Sequence, residues 1–159
     1  MDRFSLATFF HVASVVSFVA FHSVSMVVMF RIRKERDRTR VLELVSLSGQ
    51  TTLPMYISLG AILVSGSIAA FVFPGSWGRA WLWIAIVILL LTVALMTAVA
   101  KPYFERVKTA CAMRPSGVPR VSDEELGEIL GGRTPTLIAT IGIGGFTLIL
   151  FLMIAKPFV

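Results

Sequence analysis

Long charge-free stretches alternate with short charged ones along this chain. The charge-free stretches cover residues 4–30, 54–73, 80–100 and 134–155, and each is mostly apolar. A helix rises 1.5 Å per residue, so about 20 residues cross the roughly 30 Å hydrocarbon core of a bilayer. The pattern therefore predicts an all-α membrane protein, a single domain over residues 1–159 in which four transmembrane helices form a bundle.

The basic residues are sorted between the predicted loops. Loops 31–53 and 101–133 hold six Lys or Arg residues each, whereas Arg3, Arg79 and Lys156 are the only ones on the other side. Lys and Arg accumulate in cytoplasmic loops, so we expect these two loops in the cytoplasm and both termini outside. The net charge of +6 follows this sorting, and we expect no nucleic-acid partner. Because MDRF carries no net positive charge and the apolar run is long, we expect the first helix to be retained rather than cleaved as a signal peptide.

The second cytoplasmic loop contains a short amphipathic helix before the fourth span. In VSDEELGEILGG, Ser122 is placed as the N-cap and Glu125 as its capping-box partner. Leu126, Ile129 and Leu130 form one apolar side of this helix. A helix of about two turns is marginal alone, so this side must rest either on the cytoplasmic end of its own bundle or on a partner subunit.

Small residues mark two faces where another helix can approach closely. They lie in the second span at Gly60, Ser65 and Gly66 and in the fourth span at Ala139, Gly142 and Gly145. Small residues let transmembrane helices pack tightly. The spacing leaves open whether these faces meet helices of the same chain, a second copy or another membrane subunit.

Both histidines of the chain lie in the first span, eleven residues apart. That spacing is about three helical turns, so His11 and His22 share one stripe at depths about 16 Å apart. An imidazole inside a membrane is a candidate haem ligand. Since both lie on one helix, haem b would need a second chain's histidine or a methionine such as Met55 or Met96.

Methionines near the same stripe of this helix suggest a metal instead. His22, Met26 and Met29 follow one another at i, i+4 and i+7, and imidazole with thioether groups suits Cu(I). Methionines at helical spacing also pack cores. Copper handling therefore stands as a third hypothesis, after a subunit role and haem binding.

Catalysis is not expected, and we assign no catalytic residue. The spans contain no carboxylate, and two histidines on one helix cannot supply a nucleophile, a base and an orienting group. The first hypothesis is therefore a non-catalytic accessory or assembly subunit of a larger membrane complex, respiratory or photosynthetic, with no cofactor of its own. The alternative is a haem b protein that transfers electrons or reacts with quinol.

Several short motifs resemble a known bacterial family of integral membrane proteins. They are FFHVASVV in the first span, the basic turn RIRKERDRTR, VSG in the second span, the external turn GSWGRAWLW and the terminal LILFLMIAKP. On these motifs the chain resembles the family called domain of unknown function 2269, and more distantly the CopD copper-resistance membrane domain. The resemblance implies a four-helix fold in the bacterial inner membrane and implies no established activity.

Overall fold

Helices account for nearly all of the regular structure. The computed structural model describes residues 3–157, so the predicted location of the two chain ends involves residues outside this range. The helices are α1 (Arg3–Ile32), α2 (Arg38–Gln50), α3 (Thr52–Val72), α4 (Ala80–Cys111), α5 (Asp123–Gly131) and α6 (Thr134–Ala155), with a 3₁₀ turn at Ser76–Gly78. Within the described range there is no β-strand, only an isolated bridge between Met113 and Pro119.

Four helical segments of residues 3–157 are long and apolar enough to cross a membrane. They are α1, the nearly continuous α2 and α3, α4, and α5 with α6. The predicted all-α fold with four membrane-crossing helices is confirmed. Within each apolar window only 11–17% of the residues are buried inside the protein, so most of the apolar surface faces outward, as lipid-exposed helices require.

Two helix ends differ from the simple span pattern. The helix is interrupted for one residue at Thr51, so residues 38–50 form a separate helix, α2. Pro54 lies in the first turn of α3, where its missing N–H is harmless. We expected the third helix to end at Lys101-Pro102, which is wrong, because α4 continues to Cys111. Beyond Pro102, the α4 side chains of Val107 and Cys111 are almost fully buried. This burial offsets the helical hydrogen bond that the proline nitrogen cannot donate.

One large cluster of side chains, which we name the basic-end core, joins the helices near the basic loops. It draws apolar residues from α1, α2, α4, α5 and α6. Its buried members are Val28, Met29, Ile32, Val41, Val45, Tyr103, Val107, Ala110, Cys111, Leu126, Leu130, Ile138 and Ala139. This core fixes one end of the bundle and positions the transmembrane segments that leave it.

A smaller cluster closes the opposite end, which we name the tryptophan end. Ala70 of α3 meets Trp81 and Leu82 of α4 there. Met153 of α6 packs against them. Between the two ends, α1 packs closely along α3 and α4 along α6, while these two pairs make few close backbone contacts with each other.

The short helix α5 packs against its own chain at the basic end. Ser122 caps it as predicted, with its hydroxyl oxygen accepting from the Glu125 N–H at 3.1 Å. Leu126 and Leu130 are buried in the basic-end core and Ile129 packs against it. The Arg38 guanidinium holds the segment before α5, because it donates to two backbone carbonyls at 2.9 Å and to the Asp123 carboxylate at 2.6 Å.

Candidate functional site

His11 contacts α3 through a hydroxyl and a glycine. Its Nδ1 lies 3.3 Å from Ser65 Oγ. The Ser65 hydroxyl donates its own proton to the Ala61 carbonyl, so Ser65 accepts and His11 Nδ1 carries the hydrogen. A Cβ at Gly66 would lie 3.0 Å from the imidazole Cε1. Glycine at this position is therefore what lets the ring lie against α3.

His22 lies eleven residues further along α1 and contacts two other helices. Its ring stacks on Phe18, with centroids 5.4 Å apart and planes 7° from parallel. Its Nδ1 lies 3.4 Å from Met55 Sδ on α3. Its Nε2 lies 3.5 Å from the point that a Cβ of Gly142 on α6 would occupy. Met96 of α4 has its Sδ 3.8 Å from the same point, so residues of α1, α3, α4 and α6 come close together around Gly142.

The remaining small residues of the predicted faces divide between the inside and the outside of the bundle. Gly145 faces α4, where a Cβ would collide with the Thr92 side chain. Ala139 is buried in the basic-end core. Gly60 points the other way, since nothing lies within 4 Å of its Cβ position. Gly144, which sequence reasoning did not assign to either face, is equally open.

The stripe of His22, Met26 and Met29 stays a prediction, and one of its members lies in the basic-end core. Met29 is 1% exposed and belongs to the basic-end core. The thioether beside His22 comes from Met55, and Met96 lies close to Gly142; the sequence had raised both methionines as companions for a histidine. The approach of Met55 to His22 depends on the crossing of α1 with α3, which spacing along one helix does not encode.

Clusters of metal-binding side chains and surface cavities are the other kinds of candidate site in the part of the chain described. Residues 3–157 contain no group of three or more His, Cys, Asp and Glu side chains able to hold an ion. A cavity of about 480 Å³ opens between α2 and Lys108, and another of about 590 Å³ lies between Arg36 and α5. Neither is lined by a histidine, so neither offers a haem pocket with a histidine ligand.

Charge at the basic end stabilises its turns. Glu35, between α1 and α2, accepts from the backbone N–H groups of Arg36 at 2.9 Å and Asp37 at 3.2 Å. These bonds lower the pKa of the Glu35 carboxyl from its ordinary value, and the Arg40 guanidinium acts in the same direction. The ionised carboxylate of Glu35 therefore stabilises the α1–α2 turn.

Comparison with known proteins adds no relative to this description. No family model, curated protein or solved structure matches the chain. The resemblance to domain of unknown function 2269 stays a prediction, and the function is inferred from the two histidine contacts and the outward glycines.

Proposed function

We propose that this protein is a non-catalytic membrane subunit whose outward glycine faces on α3 and α6 bind transmembrane helices of a larger complex. The observation that carries the proposal is that Gly60 and Gly144 face away from the bundle with nothing within 4 Å. A glycine lets the backbone of a second helix come close, which is how helices associate in lipid.

On α3, Gly60 forms a notch in a ridge of large side chains. Ile57 and Val64, three residues before and four residues after it, are each 63% exposed. Residues three and four apart share a helix face. A partner helix can therefore lie against Gly60 with Ile57 and Val64 on either side of the crossing.

The same arrangement recurs on α6 around Gly144. Leu148, four residues later, is 46% exposed, and Phe151, seven residues later, is 57% exposed. Thr140, four residues earlier, is also exposed, so Thr140 and Gly144 form a small-x-x-x-small pair on this outward face. Gly66, Gly142 and Gly145 already contact side chains of this chain. Gly60 and Gly144 do not.

In the cell we place the basic end in the cytoplasm and the four helices in a bacterial inner membrane. The sorting of Lys and Arg supports the orientation, and the family resemblance supports the bacterial membrane. The occupant that fits each notch is an apolar transmembrane helix from another subunit. The absence of any carboxylate from the four spans supports a role without side-chain chemistry.

The direct test is photocrosslinking in native membranes. A photoreactive phenylalanine at position 64 or 151, which are exposed beside Gly60 and on the Gly144 face, should yield a defined protein adduct, whereas the same group at exposed Ala94 of α4 should react with lipid. An adduct at twice 17.4 kDa would mean a second copy and overturn the heteromeric assignment. Absence of a protein adduct at both positions would overturn the subunit role.

Leucine substitutions test the same faces by blocking them. G60L and G144L should fold, because the space around each Cβ is open, yet they should migrate as free chains on native gels. A94L should keep the wild-type complex. A reduced-minus-oxidised spectrum of the purified protein tests the haem alternative. A haem band that disappears in H11Q or H22Q would mean that the protein is a small cytochrome and not a subunit without a cofactor.

A further inference from the structure

The last two turns of α1 extend beyond the start of α3 at the basic end. His11 of α1 lies beside Ser65 of α3, and His22 lies beside Met55. Eleven residues along α1 are thus matched by ten residues back along α3, so the two helices run antiparallel in a nearly constant register. On this register the first residue of α3 is level with Ser25 of α1.

Beyond this level α1 packs along α2 instead of α3. The Ser48 hydroxyl of α2 donates to Ser25 Oγ at 2.8 Å. Val28 and Ile32 of α1 lie in the basic-end core together with Val41 of α2. The depth of α2 in the membrane therefore decides the surroundings of the last two turns of α1.

The helix α2 lies outside the hydrocarbon core of the membrane. The 21 residues of α3 make about 32 Å of helix and cross the roughly 30 Å core alone. Lys101 and Arg133 are the first charged residues beyond the apolar runs of α4 and α6, and they mark the same boundary. The helix α2 itself carries three charged residues. Residues 26–32 of α1, which lie alongside α2, are therefore outside the core as well.

This part of α1 still exposes apolar side chains. Val27 is 67% exposed and Phe30 is 42% exposed, and Leu47, beside Ser48 on α2, is 47% exposed. Phe30 is five residues beyond Ser25, or about 7–8 Å along the helix, whereas the headgroup layer is roughly 5–7 Å thick on each side. Lipid tails cannot reach this depth. An apolar surface at such a position is typical of a contact with protein.

Cations border this apolar surface and have no carboxylate of their own. Arg31 directly follows Phe30, Lys34 stands in the turn after α1, and both are exposed. Within residues 3–157 neither of them forms an ion pair. The nearby carboxylates of Glu35 and Asp37 accept hydrogen bonds from backbone N–H groups of their own turn. A partner for this surface must therefore bring its own carboxylates.

We propose that Val27, Phe30 and Leu47, bordered by Arg31 and Lys34, form a docking surface for an acidic amphipathic segment of a cytoplasmic protein partner. The apolar side of that segment covers the three exposed side chains, and its carboxylates pair with the two cations. Complementary charges of this kind select the partner. The inference takes the cytoplasmic orientation from the proposed function, but it does not depend on the glycine faces, since this surface lies outside the membrane.

Cysteine accessibility of the full-length protein in lipid nanodiscs tests the depth of the surface. The native Cys111 is buried and should contribute little labelling. V27C and F30C should react with a charged maleimide at least roughly tenfold faster than V16C, because hydrocarbon excludes a charged reagent. Val16 is a matched control, since it is 62% exposed on the same helix. Equally slow reaction at all three positions would place the surface in lipid and overturn the proposal.

Photocrosslinking from position 30 in native membranes tests the partner. A photoreactive phenylalanine there replaces a natural Phe30 and should give a protein adduct. The crosslinked peptide, sequenced by mass spectrometry, should be acidic and amphipathic. R31Q/K34Q should lower the yield at least roughly tenfold, since the charge pairs are lost. K101Q/R106Q removes the same charge from exposed positions of α4 and should leave the yield unchanged.

The same variants separate this surface from the glycine faces. Adducts from positions 64 and 151 should persist in R31Q/K34Q, because those positions lie within the spans. No protein adduct from position 30, an adduct with a second copy, or a neutral or basic crosslinked peptide would each overturn the docking surface. Equal yields in R31Q/K34Q and K101Q/R106Q would overturn it too. None of these results would change the adducts expected from positions 64 and 151.

Discussion

Replacing Gly145 with alanine should weaken the packing of α6 on α4, whereas the same change at Gly144 should not. A Cβ at position 145 would collide with Thr92 Oγ1 and would lie only 2.8 Å from Thr92 Cγ2 and 3.1 Å from Thr92 Cβ. Threonine is branched at Cβ, and rotation about χ1 leaves Thr92 Cβ itself 3.1 Å from the new methyl. A change of rotamer therefore cannot relieve the whole overlap, and the helices must separate.

The size of the loss follows from two opposing effects. Overpacking of this kind costs about 1–3 kcal/mol. Replacing a helical glycine with alanine gains about 0.5–1 kcal/mol from lower backbone entropy in the unfolded chain. We therefore expect G145A to lower the free energy of unfolding by about 1 kcal/mol, and by no more than about 2.5 kcal/mol, while G144A, which has nothing within 4 Å, should raise it by about 0.5–1 kcal/mol.

Unfolding in mixed micelles of mild detergent and dodecyl sulfate provides the assay. Trp77, Trp81 and Trp83 lie at the tryptophan end, so their fluorescence reports separation of α3, α4 and α6. The double variant T92A/G145A should recover most of the loss, since alanine at position 92 removes the two nearest atoms. Equal stability of G144A and G145A, or a double variant as unstable as the two single losses combined, would refute this account of the contact.

Four further predictions concern the basic end. Arg38→Lys should destabilise the segment before α5 nearly as much as Arg38→Ala, by about 1.5–3 kcal/mol, because an ammonium cannot reproduce the guanidinium fork; faster proteolysis of residues 112–122 would show it. Asp123→Asn should cost at most about 1 kcal/mol, since this carboxylate side chain is 91% exposed; chemical denaturation checks this. Ser122→Ala should cost about 1 kcal/mol through loss of the α5 cap, seen as faster amide exchange at Glu125. Ionised Glu35 stabilises the α1–α2 turn at pH values above the ordinary carboxyl pKa. This stabilisation should be lost as the pH falls through the lowered pKa of Glu35, so amide exchange in the turn should rise. Glu35→Gln should remove this pH dependence.

The membrane-crossing helices were predictable because the bilayer imposes a length and an absence of charge that can be read directly along the chain. The α5 cap was predictable for a similar reason, since Ser122 and Glu125 are three residues apart and interact locally. The continuation of α4 beyond Pro102 was not, because its stabilisation comes from burial of Val107 and Cys111 against other helices. Proline inside a helix normally ends or kinks it, unless tertiary contacts of this kind stabilise the helix beyond it.

The orientation of each glycine was also beyond the sequence. Periodicity groups residues into stripes, but it does not say which stripe meets another helix of the chain. Gly142 and Gly145 face α1 and α4, whereas Gly144 between them faces outward. Likewise, Met55 reaches His22 across 33 positions of sequence, so only the helix crossing reveals the pair.

The middle of the bundle differs from its ends in how it is held together. Side-chain clusters close both ends, while between them single side chains lie against glycines: His11 on Gly66, His22 beside Gly142, and Thr92 on Gly145. The inward glycines therefore serve packing within the chain, whereas Gly60 and Gly144 face outward with nothing within 4 Å.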